Sequence, residues 1–434
     1  MSRPLDRPPG GTRRPRHPAP PLAERVLADR LRELAPSGIR RFFDIAATMD
    51  DVISLGIGEP DFDTPAQVVE AAVEGLRRGR THYTSNYGTI ELRSALASHL
   101  DARYGVRYDP ESEILITVGA SEAVDLAVRA TCNPGDEVIL HEPSYVAYPA
   151  AITLAGGRPA FVPTRDEDDF ALEPDLVEAA ITPRTKALFL GYPCNPTGAV
   201  LPPAVEDELA AIAVHHDLLV YSDEIYDRLA YGGYRHRALS ALPGMRERTV
   251  LMGGFSKAYA MTGWRLGWVC APAPILDGIV KVHQYMIMSA PTVAQDAALV
   301  ALTTGEPDVE AMVAEYDRRR RLLVDGLNAM GLATFEPRGA FYAFPRISST
   351  GLDDEAFTEC LLREERVAVV PGSAFGPSGA GHVRMCYATS FEQLEEALRR
   401  IGRFVARARA EMGAVAIVRG AKSAGEPDAA EGAA

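Results

Sequence analysis

The sequence predicts an α/β fold: a large domain with a mainly parallel seven-stranded sheet sandwiched by helices, plus a smaller α+β domain. Two observations carry this expectation. From Ile114 onward, short apolar runs alternate with helical stretches. The runs are Ile114–Val118, Glu137–Leu140, Arg158–Val162, Lys186–Leu190, Leu218–Tyr221, Thr249–Met252 and Leu266–Cys270. Runs this apolar suit strands covered by helices on both faces, as in a parallel sheet. Beyond Val280 the pattern changes. It predicts a long helix from about Pro307 to Met330, with Gly331 as the residue that ends it. Short strands are expected at Ala340–Phe344, Val367–Val370 and His382–Cys386, then an amphipathic helix from about Phe391 to Met412.

The 434 residues allow two or three domains and a sizeable core. Hydrophobic residues at 47% and charged residues at 24% are ordinary for a globular protein. A net charge of −14 argues against a nucleic-acid-binding body and against an anionic membrane surface. No apolar run approaches the ~18 residues that span a bilayer. Cys132, Cys194, Cys270, Cys360 and Cys386 are scattered, odd in number and without a C-x-x-C pair, which fits a reducing cytoplasm. The nine histidines form no ligand spacing, so no metal site is expected.

Residues 1–24 are rich in proline, glycine and arginine and are expected to be a disordered basic tail. Arg13-Arg14 precedes no apolar export segment. Residues 25–58 are expected to join the small domain, 59–305 to form the large one, 306–412 the small one and 413–434 a frayed tail. Within this frame a helical pattern covers Leu22 to Leu34, and a strand is expected over Asp51 to Gly58. Thr64 and Pro65 suit the N-cap and first turn of a helix Ala66 to Arg78. Tyr83 and Tyr87 fall in a loop closed by Gly88, before a helix Glu91 to Tyr104. Arg318 to Arg321 wrap around the long helix and are expected to form a solvated face.

The candidate site motifs each stand just past one of the apolar runs, where ligands of α/β sheets usually bind. Gly253-Gly254-Phe255-Ser256-Lys257 breaks the run Thr249–Met252. A lysine there is poorly solvated and is a candidate Schiff-base nucleophile, with Arg265 a candidate phosphate fork; a loop lysine and an ion-paired arginine are the plain alternatives. Gly119-Ala120-Ser121-Glu122 follows Ile114–Val118 and opens a helix, whose exposed amides favour a phosphate. Asp223 ends the run Leu218–Tyr221, where a carboxylate calls for a cationic partner, such as a protonated pyridine nitrogen, or serves as a helix N-cap. Asn195-Pro196-Thr197-Gly198 suits a turn, or offers an amide to a ring oxygen, as Tyr226 could offer its phenol.

Taken together these motifs resemble the class I aminotransferases, the aspartate and aromatic aminotransferase family of fold type I pyridoxal-phosphate enzymes. The matching text is Ser54-Leu55-Gly56-Ile57-Gly58-Glu59-Pro60-Asp61-Phe62, Asn195-Pro196-Thr197-Gly198, Ser222-Asp223-Glu224-Ile225-Tyr226, Ser256-Lys257, Gly263-Trp264-Arg265 and Val383-Arg384. The resemblance covers roughly residues 30–410. It is closest to the subgroup with archaeal-type aromatic and aspartate aminotransferases, where Thr81-His82-Tyr83-Thr84, Gly339-Ala340-Phe341-Tyr342 and Val370-Pro371-Gly372-Ser373-Ala374-Phe375-Gly376 also match.

The resemblance implies a homodimer that binds pyridoxal 5′-phosphate and takes small-molecule substrates, an amino acid and a 2-oxo acid. Lys257 would hold the cofactor covalently and then shuttle the proton at the substrate α-carbon. Asp223 would pair with the ring nitrogen, Asn195 and Tyr226 would bond the ring hydroxyl, and Tyr145 would stack on the ring. Ala120, Ser121, Arg265 and Tyr83 of a second subunit would hold the phosphate. Arg384 would clamp the α-carboxylate with help from Asn195 and the Gly58 amide. Two positions depart from the pattern: Gly254 stands where many relatives carry a hydroxyl residue, and Ser121 where some acidic-substrate relatives carry a lysine. The expected donor is an aromatic amino acid or aspartate and the acceptor 2-oxoglutarate, with Ile39, Ile57 and Tyr342 as apolar walls; Arg40 either meets a distal carboxylate or is a surface arginine paired with Asp44 at helical spacing. A carbon–sulfur lyase or cyclopropane-forming synthase on the same fold is the alternative. A regulator fused to a winged helix is not expected, because the disordered N-terminus is too short for that domain.

Overall fold

A computed structural model describes residues 48–423, together with residue 22, residues 26–32, and residues 34 and 45. Nearly all of the expected basic tail, Ile39, Arg40 and the chain after Ser423 lie outside the described residues. Leu22 and Val26 are helical and Asp29–Leu31 form a 3-10 turn, but Leu27 and Ala28 interrupt the helix expected there.

After a two-residue strand β1 (Ile53–Ser54), all seven apolar runs become strands of one sheet. They are β2 (Ile114–Thr117), β3 (Glu137–Glu142), β4 (Arg158–Pro163), β5 (Thr185–Leu190), β6 (Leu219–Asp223), β7 (Thr249–Gly254) and β8 (Gly267–Cys270). Their order across the sheet is β2-β8-β7-β6-β5-β3-β4. Neighbours are parallel except at β8, which is antiparallel to both β7 and β2. Alternate side chains enter different cores. Ile139, Leu188, Leu190 and Val220 pack on one face, while Val138, Leu140, Ala187, Phe189 and Tyr221 pack on the other. Each of the larger ones contributes about 1.5–3 kcal/mol by leaving water. This two-sided burial is why the runs read as continuously apolar.

The covering helices are α1 (Ala66–Arg77), α2 (Ile90–Tyr104), α3 (Gly119–Thr131), α4 (Ala147–Leu154), α5 (Pro174–Ala179), α6 (Pro203–His215), α7 (Ala273–Met286) and α8 (Thr292–Thr304). The chain ends in α9 (Glu306–Ala329), α10 (Asp354–Glu365) and α11 (Phe391–Ser423). Among the described residues no helix is long and apolar enough to cross a membrane.

Because β8 runs against its neighbours, its amino end lies at the sheet edge where β2 and β7 finish. Gly267 is paired with both Thr117 and Gly254. A Cβ on Gly267 would lie 2.5 Å from the Gly119 carbonyl carbon and 2.6 Å from the Ala120 nitrogen. Only glycine lets the start of α3 approach that closely.

The C-terminal part carries a three-stranded sheet, β11 (Val370–Pro371), β12 (Val383–Cys386) and β9 (Tyr342–Ala343), and a two-stranded ribbon of β10 (Val367–Ala368) with β1. The single strand expected over Val367–Val370 is divided. Its first half pairs in parallel with β1, and its second half pairs antiparallel with β12. The strand expected over Asp51–Gly58 keeps only Ile53–Ser54, because Gly56 and Gly58 turn their carbonyls toward Arg384 and Lys257. Gly331 follows α9 with φ +77°, as expected of a helix-ending glycine.

Three further expectations are corrected. Thr64 caps nothing: its hydroxyl donates to the Ala260 carbonyl at 2.6 Å and accepts from Trp264 Nε1 at 2.9 Å. Pro65 occupies the cap position itself. Only Arg318 and Arg321 of the four arginines form the expected solvated face. Arg319 and Arg320 are buried, with Arg319 bound to Asp61 and Glu315, and Arg320 to Asp317 and Glu336. A helix rotates about 100° per residue, so four consecutive arginines must sample its core side as well. Finally, α11 continues past Met412 to Ser423, through an alanine-rich stretch that favours helix.

Candidate active site

The edge formed by the carboxyl ends of β2, β5, β6 and β7 and the amino end of β8 opens on a cavity of about 1220 Å³. Its lining includes Gly58, Ala120, Ser121, Tyr145, Asn195, Asp223, Tyr226, Lys257, Arg265 and Arg384. Among the described residues, Tyr83 is the one expected site residue placed elsewhere. It is 81% exposed, on the loop between α1 and α2, beside Arg80 and His82.

Lys257 leaves the turn after β7 and donates from Nζ to the Gly58 carbonyl at 2.6 Å. Burial pushes its ammonium down to about 8, because the cavity wall solvates the charge poorly. A substantial fraction of neutral amine is therefore present near pH 8. Asp223, the last residue of β6, is buried and feels the opposite sense of the same effect. Burial pushes its carboxyl up to about 6, although the Tyr148 hydroxyl donates to Oδ2 at 2.8 Å and the Ile225 amide to Oδ1 at 3.1 Å. No helix follows Asp223, only a turn over residues 225–228, so the N-cap alternative does not hold.

Tyr226 ends that turn's first half with its phenol 2.8 Å from the Tyr342 hydroxyl. Tyr145 lines the cavity edge-on to Tyr148, with ring centroids 5.5 Å apart. At the opening of α3, Ala120 and Ser121 present the first turn of a long helix to the cavity. The Arg265 guanidinium lies over Gly119, and its Nη1 is held by the Thr262 carbonyl at 2.9 Å. Amides at a helix start beside a guanidinium form a seat for an anion.

Arg384 in β12 is buried and gripped from four sides. Nη1 donates to Asn195 Oδ1 at 2.8 Å and Nη2 to the Gly56 carbonyl at 2.6 Å. The guanidinium lies between the rings of Tyr342 and Phe375, at 4.7 Å and 4.9 Å from their centroids. Its Nε is buried without a hydrogen-bond acceptor. A carboxylate arriving from the cavity would meet a preformed, oriented fork.

The cavity thus offers an amine with a lowered pKa, a buried carboxyl suited to a cation, and two separated anion seats. Sequence reasoning missed Tyr148, which stands one helical turn beyond Tyr145 in the same stretch, and that spacing was the available signal. It also missed the Gly56 carbonyl as the support of Arg384. Tyr342 was expected only as an apolar wall.

The geometry agrees with what comparison finds. The sequence profile described as aminotransferase class I and II matches residues 50–401. An aspartate aminotransferase of Pyrococcus abyssi is 49% identical over 87% of this chain and 97% of its own length. An aromatic-amino-acid aminotransferase of Thermococcus litoralis is 46% identical over the same shares. The crystal structure of an aromatic aminotransferase from Pyrococcus horikoshii superposes with a TM-score of 0.81 at 47% identity, covering 85% of this chain and 99% of that one. A profile spanning most of the chain, and relatives nearly half identical along nearly their whole length, leave one conclusion: the chain belongs to the class I and II aminotransferases, and is an enzyme of that kind.

Proposed function

We propose that this aminotransferase uses pyridoxal 5′-phosphate to move the amino group of an aromatic L-amino acid or aspartate to 2-oxoglutarate. The observation that carries the cofactor reading is Asp223. Its carboxyl is buried, lines the cavity, takes hydrogen bonds from neutral donors and is held up at about 6 by burial. A protonated ring nitrogen would supply the cation such a group calls for. Bound there, the cofactor supplies an aldehyde and a ring that withdraws electrons from the substrate α-carbon.

The chain's own residues then divide the work. Lys257 Nζ would hold the cofactor and would take and return the proton at the substrate α-carbon. Asp223 would face the ring nitrogen, with Tyr148 fixing the carboxyl. Asn195 and Tyr226 would donate to the ring oxygen, and Tyr145 would cover the ring. Ala120, Ser121 and Arg265 would hold the phosphate, joined by Tyr83 of a second copy in a homodimer. Arg384 would take the substrate carboxylate, with the Gly58 amide beside it. The five free cysteines suit a cytoplasmic setting.

The donor reading draws on relatives named for aspartate and for aromatic substrates, and on the apolar surfaces of Ile57, Tyr145 and Tyr342 in the lining. Among the described lining residues the cations are Lys257, Arg265 and Arg384, each assigned another role. Arg40, the residue expected to meet a distal carboxylate, lies outside the described residues. The test is a panel of amino donors against 2-oxoglutarate with the reconstituted protein and its Lys257→Ala variant. Turnover with phenylalanine, tyrosine or aspartate, lost in the variant, is the expected result. Release of pyruvate or ammonia without added oxo acid would replace this reading by a lyase.

A further inference from the structure

We propose that the Tyr342 hydroxyl is a positioning group for the reaction, fixing the direction in which Tyr226 donates its proton. The proposal rests on the assignment of Tyr226 to the cofactor's ring oxygen. Tyr342 in β9 and Tyr226 are both buried, and their hydroxyls lie 2.8 Å apart. Neither ring is free to turn away. Tyr226 meets Tyr342 edge-on at 5.9 Å and Phe341 edge-on at 5.5 Å. Against the Tyr342 hydroxyl stands Gly58, where an added Cβ would come within 2.2 Å of the phenolic oxygen. The hydroxyl is thereby confined between Gly58 and Tyr226.

Proton counting fixes the direction. A phenol carries one proton. If Tyr226 spends its proton on a ligand oxygen in the cavity, its own oxygen must accept the hydrogen bond between the two phenols, and Tyr342 must donate it. An accepted hydrogen bond polarises Tyr226 and strengthens its donation onward. The titratable and charged groups facing the pair are Arg384 and Cys386 from β12, Lys257 from the turn after β7, and Tyr145. Burial holds the Cys386 thiol up at about 11, so it is neutral at working pH. Tyr342 also lies under Arg384, and phenylalanine would keep that contact while removing only the hydroxyl. The two roles of the side chain are therefore separable.

The experiment is a pair of substitutions and their combination: Tyr342→Phe, Tyr226→Phe and both together, each loaded with pyridoxal 5′-phosphate. The readout is the pH midpoint of the absorbance change of the cofactor linked to Lys257. A donor to the ring oxygen favours the form in which that oxygen bears its full negative charge, the deprotonated linkage. Weakening the donor should raise the midpoint, by about 0.3–1 pH unit for Tyr342→Phe. kcat should fall a few-fold with KM for the amino acid unchanged. In the Tyr226→Phe background the second substitution should move the midpoint no further. Replacing Tyr342 by 3-fluorotyrosine, which keeps the shape and makes the phenol a stronger donor, should lower the midpoint. An unmoved midpoint in Tyr342→Phe, or an equal shift in both backgrounds, overturns the proposal alone. A wild-type protein with no Lys257-dependent band overturns the cofactor reading and the proposal with it.

Discussion

The end of the cavity at Asp223 and the end at Ile57 are built from different kinds of chain. At the first, functional groups sit on the last residue of a buried strand or within a few residues of it. Asp223 ends β6, Lys257 follows β7, and both are surrounded by strands whose side chains are almost fully buried. At the second, the lining comes from Met49 to Glu59, a segment with only two residues of strand, where Ile57 is 47% exposed. The first end is pinned by the continuous ladder of the seven-stranded sheet, the second by the short pairing of β1 with β10, a bond from the Cys386 amide to the Leu55 carbonyl, and contacts from Arg384 and Lys257 to Gly56 and Gly58. Under the proposed function, chemistry that every substrate shares would fall on the sheet-bound part, and contact with the variable side chain on the more irregular part.

The sharpest way to break this comparison is at the rigid end. Asp223→Asn keeps the size and the Tyr148 contact but removes the charge. Single-turnover absorbance with an amino donor should show the proton-transfer step slowed about 10²–10³-fold, the loss typical of one preorganised electrostatic partner. KM should change little. An unchanged step would mean that Asp223 holds structure rather than a ring nitrogen.

At Arg384 the expected effect is smaller and lies on the other kinetic constant. Arg384→Lys keeps a cation but loses the fork, freeing Asn195 Oδ1 and the Gly56 carbonyl. Losing one charge-assisted bond of about 1.5–3 kcal/mol should raise KM for every amino-acid donor about 10–100-fold, with a lesser change in kcat. Steady-state kinetics on two chemically different donors check it. A change confined to one donor would move Arg384 from the shared machinery to specificity.

The same contrast governs what was legible in the sequence. All seven strands were legible because parallel strands buried on both faces leave uninterrupted apolar runs. That Lys257, Asp223, Asn195 and Ser121 would meet at one edge of the sheet was legible because each stands just past such a run. Other features depend on pairings far apart in the chain. Four consecutive arginines in α9 announce that some of them face the core, but not that Arg319 finds its partner in Asp61 across the fold. Tyr148 and Tyr342 meet the site only once β6, α4 and β9 are assembled. The run over Val367–Val370 gives no sign that its halves serve two sheets. The Met49–Glu59 end of the cavity was the least legible part, since it is framed by irregular backbone with no period to read.

The smallest expected effect concerns stability, and it follows from Lys257 standing at the rigid end. In the folded chain its ammonium is held to about 8, against 10.5 in the unfolded chain, because burial disfavours the charge. The folded state therefore binds fewer protons than the unfolded state between these two values, and stability should rise with pH across that window. Below about pH 8 the full penalty is present, at most about 3 kcal/mol. Replacing the lysine by methionine removes the penalty, and also the hydrogen bond to Gly58, worth about 1 kcal/mol. Cofactor-free Lys257→Met should then be about 1–2 kcal/mol more stable than the parent at pH 7, with the advantage gone near pH 10.5. Denaturant unfolding of both cofactor-free proteins at pH 7, 9 and 10.5 measures it. A difference independent of pH would show that the lysine charge is well solvated, and that its reactivity owes nothing to burial.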